Sequence, residues 1–313
     1  MFSQSGRALC VLTLLTACCF AQQPSATPAP GPGSPADLVQ QGEKLSRDGK
    51  QDEALTLYRQ ALAKSPNLYE AHLAMGMALD LKADYSQARE HFLKAIAAAP
   101  AESRQQALRA TAVSYAFEGN AAKAADFEAQ VFDARLAKDD FIGAAEIANE
   151  LARIFLESGD SDNAFKWYEM GYETAMRKPV LTDADKNLWL FRWENAQARI
   201  DARRGKGEDA QRHVSAAKAA LDKANNPDQA RFFPYLTGYV AFYTGDYKAA
   251  IADLEKADQH DPLILALLGE AYAKTGDVAR SKDYYRKVLQ INSHNPTNAF
   301  ARPLAEKNLA AGS

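Results

Sequence analysis

Residues 35–100 carry one 34-residue pattern twice, and nothing else in the chain limits its fold as strongly. At a shift of 34, Gly42 falls on Gly76, Leu45 on Leu79, Ala54 on Ala88, Tyr58 on Phe92, Ala61 on Ala95 and Pro66 on Pro100. A unit this short cannot bury its own apolar face, so neighbouring units must stack into an array. Apolar residues spaced i, i+3, i+4 and i+7 put both halves of each unit on helices. Gly or Ala at unit positions 8, 20 and 27 removes bulk where two antiparallel helices approach, and the aromatic at position 24 fills the groove that remains. Pro66 and Pro100 end the second helix, because proline cannot continue the hydrogen-bond ladder.

These residues resemble the tetratricopeptide repeat family, whose pattern has small residues at 8, 20 and 27, an aromatic at 24 and proline at 32. Further along, the turn between the two helices is the better ruler. Glycine there allows a left-handed backbone, and a polar residue after it can cap the second helix. The turn reads Asp48-Gly49-Lys50, Lys82-Ala83-Asp84, Glu118-Gly119-Asn120, Ser158-Gly159-Asp160, Arg204-Gly205-Lys206, Thr244-Gly245-Asp246 and Thr275-Gly276-Asp277. Unit starts then fall near 35, 69, 105, 145, 191, 231 and 262. Position 20 is alanine in the first six units and Ser281 in the last. The middle departs from the pattern: units three to five carry Ala112, Ala152 and Ala198 at position 8, and of these only unit four keeps the aromatic, Tyr168. Steps between starts lengthen to 40, 46 and 40 before contracting to 31. Longer helices or loops near Ala137–Ala144, Met176–Leu188 and Asn225–Ala230 must absorb the difference, with Lys178-Pro179 stopping one helix and Thr182 with Asp185 opening the next.

The expected fold is all-α: a right-handed superhelical solenoid of about seven antiparallel helix pairs over residues 36–313, with a C-terminal capping helix at 296–313. Arrays of this kind need a terminal element with one polar face. Phe300, Leu304 and Leu309 give that helix an apolar side, and Pro303 is expected near its first turn.

Before the array lies a leader. Arg7 precedes an apolar stretch, Ala8–Phe20, that is shorter than the about 20 residues a membrane-spanning helix needs. Two processing sites compete. One gives a signal peptide over 1–21 and a soluble protein starting at Gln22. The other is a lipoprotein signal over 1–17, since Leu15-Thr16-Ala17-Cys18 resembles the bacterial lipobox, with Cys18 lipidated. Either exports the protein, to the periplasm or to a membrane-tethered place in a bacterial cell envelope. Residues 22–35 hold five prolines and form an extended linker of roughly 40 Å at ~3.1 Å per residue. All three cysteines, Cys10, Cys18 and Cys19, lie in the leader, so the array must hold together by apolar burial without disulfides. Once Arg7 leaves with the leader, 36 basic side chains face 40 acidic ones, which argues against nucleic acid as the partner.

No catalytic constellation is legible. Gly205-Lys206-Gly207 lacks the spacing of a phosphate loop, no serine sits in a nucleophile elbow, and the histidines, including His72 and His91 of unit two, show no metal-ligand spacing. No catalytic residue, metal or cofactor is therefore expected.

The resemblance implies a non-catalytic scaffold whose concave face, lined by the first helix of each unit, binds a protein or an extended peptide. The candidate surface is a stripe. Phe232, Tyr235, Tyr239, Phe242 and Tyr243 follow one another at i, i+3, i+7, i+10 and i+11, one face of a helix, while Thr237, Gly238 and Ala241 on the other side pack on its partner. At the same positions of the preceding unit stand Arg192, Asn195, Arg199, Ala202 and Arg203. A cationic strip beside an aromatic one suits a peptide with acidic and apolar or proline residues. Two other readings stay open: the aromatics fold into an inter-repeat core, or the groove belongs to a ligand-binding subunit that takes a glycan or another polymer.

Overall fold

The computed structural model describes residues 33–311; the leader, Cys18 and the linker as far as residue 32 lie outside the described residues. Helices follow in pairs: α1 (Pro35–Arg47) with α2 (Gln51–Lys64), α3 (Tyr69–Leu81) with α4 (Tyr85–Ala98), α5 (Arg104–Phe117) with α6 (Ala121–Leu136), α7 (Phe141–Glu157) with α8 (Ser161–Met176), and α9 (Asp183–Arg203) with α10 (Gly207–Ala224). After a single turn, α11 (Pro227–Ala230), come α12 (Phe233–Tyr243) with α13 (Tyr247–Leu254), α14 (Pro262–Lys274) with α15 (Val278–Gln290), and the final α16 (Pro296–Ala310). Seven antiparallel pairs result, with no strand among the described residues.

The turn that set the register is built as its residues require. All seven central residues have positive φ, six of them glycines; Ala83, at φ 60°, takes the left-handed region despite its Cβ. Asp84, Asn120, Asp160, Asp246 and Asp277 each accept the amide N–H three residues on. Lys50 and Lys206 make no such cap, since an ammonium has no acceptor. Within the pairs, position 8 meets position 24. A Cβ on Gly76 would lie 2.7 Å from the Phe92 ring, and one on Gly269 2.8 Å from that of Tyr285. In the sixth pair Gly238 faces Leu254 instead.

In the irregular middle, helix length takes up the extra residues. α7 starts at Phe141, after a left-handed Asp139 (φ 55°) and an Asp140 that caps it, and α9 runs for 21 residues. Thr182 and Asp185 form a reciprocal capping box at the start of α9. Asn225, also left-handed, ends α10 ahead of α11.

One expectation needs correction. Pro303 is not in the first turn of the last helix. Asn295 caps α16 by accepting the Asn298 amide, Pro296 takes the first helical position where it has no N–H to lose, and Pro303 falls two turns inside. The expected capping helix, α16, covers the last pair and reaches beyond it. It packs on α14 and α15, and also on α5 and α7 of the third and fourth pairs. The strap leading into it, Ile291–Asn295, runs extended across α3 and α5. There His294 Nε2 lies 2.8 Å from Asp80 Oδ2, its ring is 5.6 Å from those of both Phe92 and Phe117, and Asn292 Nδ2 donates to Arg47 O at 3.3 Å. The array therefore closes on itself.

Candidate ligand-binding groove

A cavity of about 490 Å³ opens where α7, α8, α9, α12 and α14 meet the start of α16. Helical spacing decides which side chains reach it. From α7 come Glu146, Asn149, Glu150 and Arg153, at i, i+3, i+4 and i+7; from α9 come Arg192, Asn195 and Arg199, at i, i+3 and i+7. Tyr168, Phe232 and Tyr235 add aromatic walls.

Arg199 is the centre of this wall and is 4% exposed. Its Nε donates to Asn195 Oδ1 and its Nη2 to Tyr168 Oη, both at 2.9 Å. Its guanidinium sits over the rings of Tyr168, Tyr235 and Tyr239, between 5.3 and 5.9 Å from their centres. Arg153 also lies 5.8 Å from the centre of the Tyr235 ring, and 4.0 Å from Asp261. Arg192 lies over Trp189 at 4.6 Å. Burial pushes the Tyr235 phenol up to about 12, so it keeps its proton at neutral pH.

The structure divides the aromatic-basic stripe. Phe232, Tyr235, Arg192, Asn195 and Arg199 line the cavity. Tyr239 has no exposed surface; its hydroxyl accepts from Arg203 Nε at 2.6 Å and donates to Glu157 Oε1 at 3.2 Å. Arg203 also pairs with Glu157 and lies 4.5 Å from the centre of the Tyr243 ring. Phe242, half-buried, packs edge-on against Tyr243 and Tyr247. Tyr239, Phe242, Tyr243 and Arg203 are thus a packed cluster behind the cavity and do not line it. Arg203 from α9 and Glu157 from α7 close over this far end of the stripe.

Sequence reasoning missed Asn149 and Arg153, although a signal existed. Asn149 and Arg153 stand four apart, as Asn195 and Arg199 do, at the same two positions one unit earlier. It also missed Pro296 and Thr297, which only the closure of the array brings to the cavity. His72 and His91 do meet, Nδ1 to Nδ1 at 2.9 Å, while His72 Nε2 faces Pro66 O at 2.9 Å. That contact is a hydrogen bond, and no third ligand joins them among the described residues.

Two tetratricopeptide repeat models match the chain, over residues 45–112 and 235–296. Among solved structures, the fold is similar to that of a tetratricopeptide repeat protein from Parabacteroides merdae ATCC 43184, with 13% identity, a TM-score of 0.50, and coverage of 88% of this chain and 98% of that one. It is similar also to the apo form of RapI, at 12% identity and a TM-score of 0.51, over 87% of this chain and 99% of that one. No curated protein matches the sequence.

Proposed function

Because the chain is a tetratricopeptide repeat protein, we propose that it is a non-catalytic scaffold that binds an extended segment of a partner protein along the inner face of its superhelix. One observation carries this reading: the groove already holds an extended peptide, the chain's own strap. Asn292 bonds a main-chain carbonyl, His294 fills a slot between Phe92 and Phe117, and Asp80 at the bottom of the slot also accepts from Ser114 Oγ at 2.9 Å. Backbone-directed hydrogen bonds together with a side-chain pocket are how grooves of this kind hold a peptide. The strap fills the part of the groove lined by α3 and α5, and the cavity beside Arg199 is where an external segment would enter.

In this reading the protein is exported and works in a bacterial cell envelope, processed after the leader or tethered through Cys18. Nucleic acid is not its partner, given the mild net charge. A selection of random peptides on the immobilised protein tests the binding surface. Enrichment of acidic and proline-containing peptides that Arg192→Glu no longer retains, with its helical circular dichroism intact, is the expected result. Retention of glycan fragments and no peptide would overturn it.

A further inference from the structure

Four carboxylates and three guanidinium groups line the main cavity, but the carboxylates there are engaged or exposed. Glu150 holds Arg109 at 2.5 Å. Asp261 accepts the Leu263 amide at 2.9 Å at the start of α14, and Asp258 accepts both the amide and the ring nitrogen of His260 at 3.0 Å. Glu146 is exposed.

The donors are less fully used. Arg199 spends Nε and Nη2 on Asn195 and Tyr168, and its buried Nη1 has no partner. The hydroxyl of Tyr235, a residue 6% exposed, has none either. Arg192 makes no hydrogen bond and no ion pair among the described residues, and burial lowers its pKa with only Glu146 opposing. Across from them α16 begins at Pro296 and Thr297, presenting the positive end of a 15-residue helix. Buried donors are ordinarily paired, and a charged one left alone is destabilising.

We propose that this cavity is a binding site for an anionic group, a carboxylate or a phosphate, held by Arg192, Arg199 Nη1 and Tyr235 Oη. The proposal rests on the inner face being a binding surface and adds the class of ligand that anchors there. Two oxygens of one anion would supply the acceptors that Arg199 and Tyr235 lack, and Arg192 would gain its counter-charge. At about 490 Å³ the cavity admits more than a bare ion. The anion therefore comes either from a small organic acid or phosphate ester, or from an acidic side chain of the bound segment.

Calorimetry and thermal melting of the purified protein test this, in sodium succinate, in sodium phosphate and with a short peptide containing two adjacent aspartates, each against sodium chloride at matched ionic strength. Tyr235→Phe is the decisive variant. It keeps the ring that Arg153 and Arg199 lie against and removes only an unpartnered hydroxyl, so without anion it should melt no lower than the wild type. We expect saturable binding of at least one probe, weakened about tenfold to a hundredfold in both Tyr235→Phe and Arg192→Gln, the effect of losing a hydrogen bond to a charged group. Saturation by succinate or phosphate alone assigns the site to a free anion; saturation by the peptide alone assigns it to an acidic side chain. Equal melting in all four solutions, or unchanged affinity in the two variants, overturns the proposal. Anion binding with no peptide retained in the selection described above would leave this site standing and remove only the scaffold reading.

Discussion

Glu128 occupies position 24 of the third unit, where the first two units place Tyr58 and Phe92. It has no exposed surface, and neither carboxyl oxygen has a hydrogen-bond partner. Burial, reinforced by the neighbouring Glu150 carboxylate, holds its pKa well above the usual range against the pull of Arg109. The sixth unit shows what the site tolerates, since Leu254 fills the same position, fully buried. Replacing Glu128 by leucine removes an unpartnered carboxyl, worth ~1–3 kcal/mol. It adds apolar burial of a similar size, from which imperfect packing in a site shaped for glutamate subtracts up to ~1.5 kcal/mol. A net gain of about 2 kcal/mol follows, or a Tm higher by about 5 °C. Arrays of stacked units need not unfold in one step. Amide exchange in α5, α6 and α7 is therefore the direct assay, and protection should rise there first. A loss of 1 kcal/mol or more in those helices would mean the carboxyl has a partner, and the premise of an orphaned acid would fall.

Three more tests address the packing and the closure. Burial and the adjoining His72 lower the pKa of His91 to about 4, so the unfolded chain binds a proton that the folded chain does not between about pH 6.5 and 4; stability should fall as pH drops through that window, and His91→Gln should flatten the fall in urea midpoints. Ala88 is fully buried where α4 crosses α3 beside Gly76, so Ala88→Leu should destabilise by ~1–3 kcal/mol in thermal unfolding, and a neutral result would mean that the small-residue contact is not a close one. His294→Ala leaves the buried Asp80 with Ser114 alone and should lower stability by ~1–3 kcal/mol while enlarging the radius of gyration in X-ray scattering; unchanged scattering would show that the ring is held shut elsewhere.

Local chemistry was legible in the sequence wherever a residue acts alone on its own backbone. The glycines at the inter-helix turns, the aspartates capping the helices after them, and the Thr182–Asp185 box depend on neighbours within a few residues, so spacing alone locates them. The groove stripe was half legible. Its period put Tyr235 and Tyr239 on one helix face, but Tyr235 faces the cavity while Tyr239 is sealed against Glu157, 82 residues away. Helical period fixes the direction of a side chain and says nothing of what a neighbouring unit brings against it. Glu128 escaped notice for a related reason: the third unit lacks the aromatic of the pattern at that position, and the chain buries the glutamate that stands there.

Closure of the array was the least legible feature, because it depends on summed geometry. Each unit adds a small rotation, and the longer middle helices together with the short step into α14 decide where the last pair arrives. It arrives close enough for His294 to reach Asp80, 214 residues away in sequence. An open solenoid would leave its inner face continuous from α1 to α14. Here the strap takes the stretch over α3 and α5, and the start of α16 forms one edge of the main cavity. Arg192, Arg199 and Tyr235 therefore share a cavity with a wall supplied by the chain's own end, which narrows an open groove. Narrowing the groove excludes part of its water, and an anion there would meet the guanidinium groups at greater effect than on a flat exposed face. If the proposed site is right, its completion by the final helix makes recognition conditional on the ring being shut.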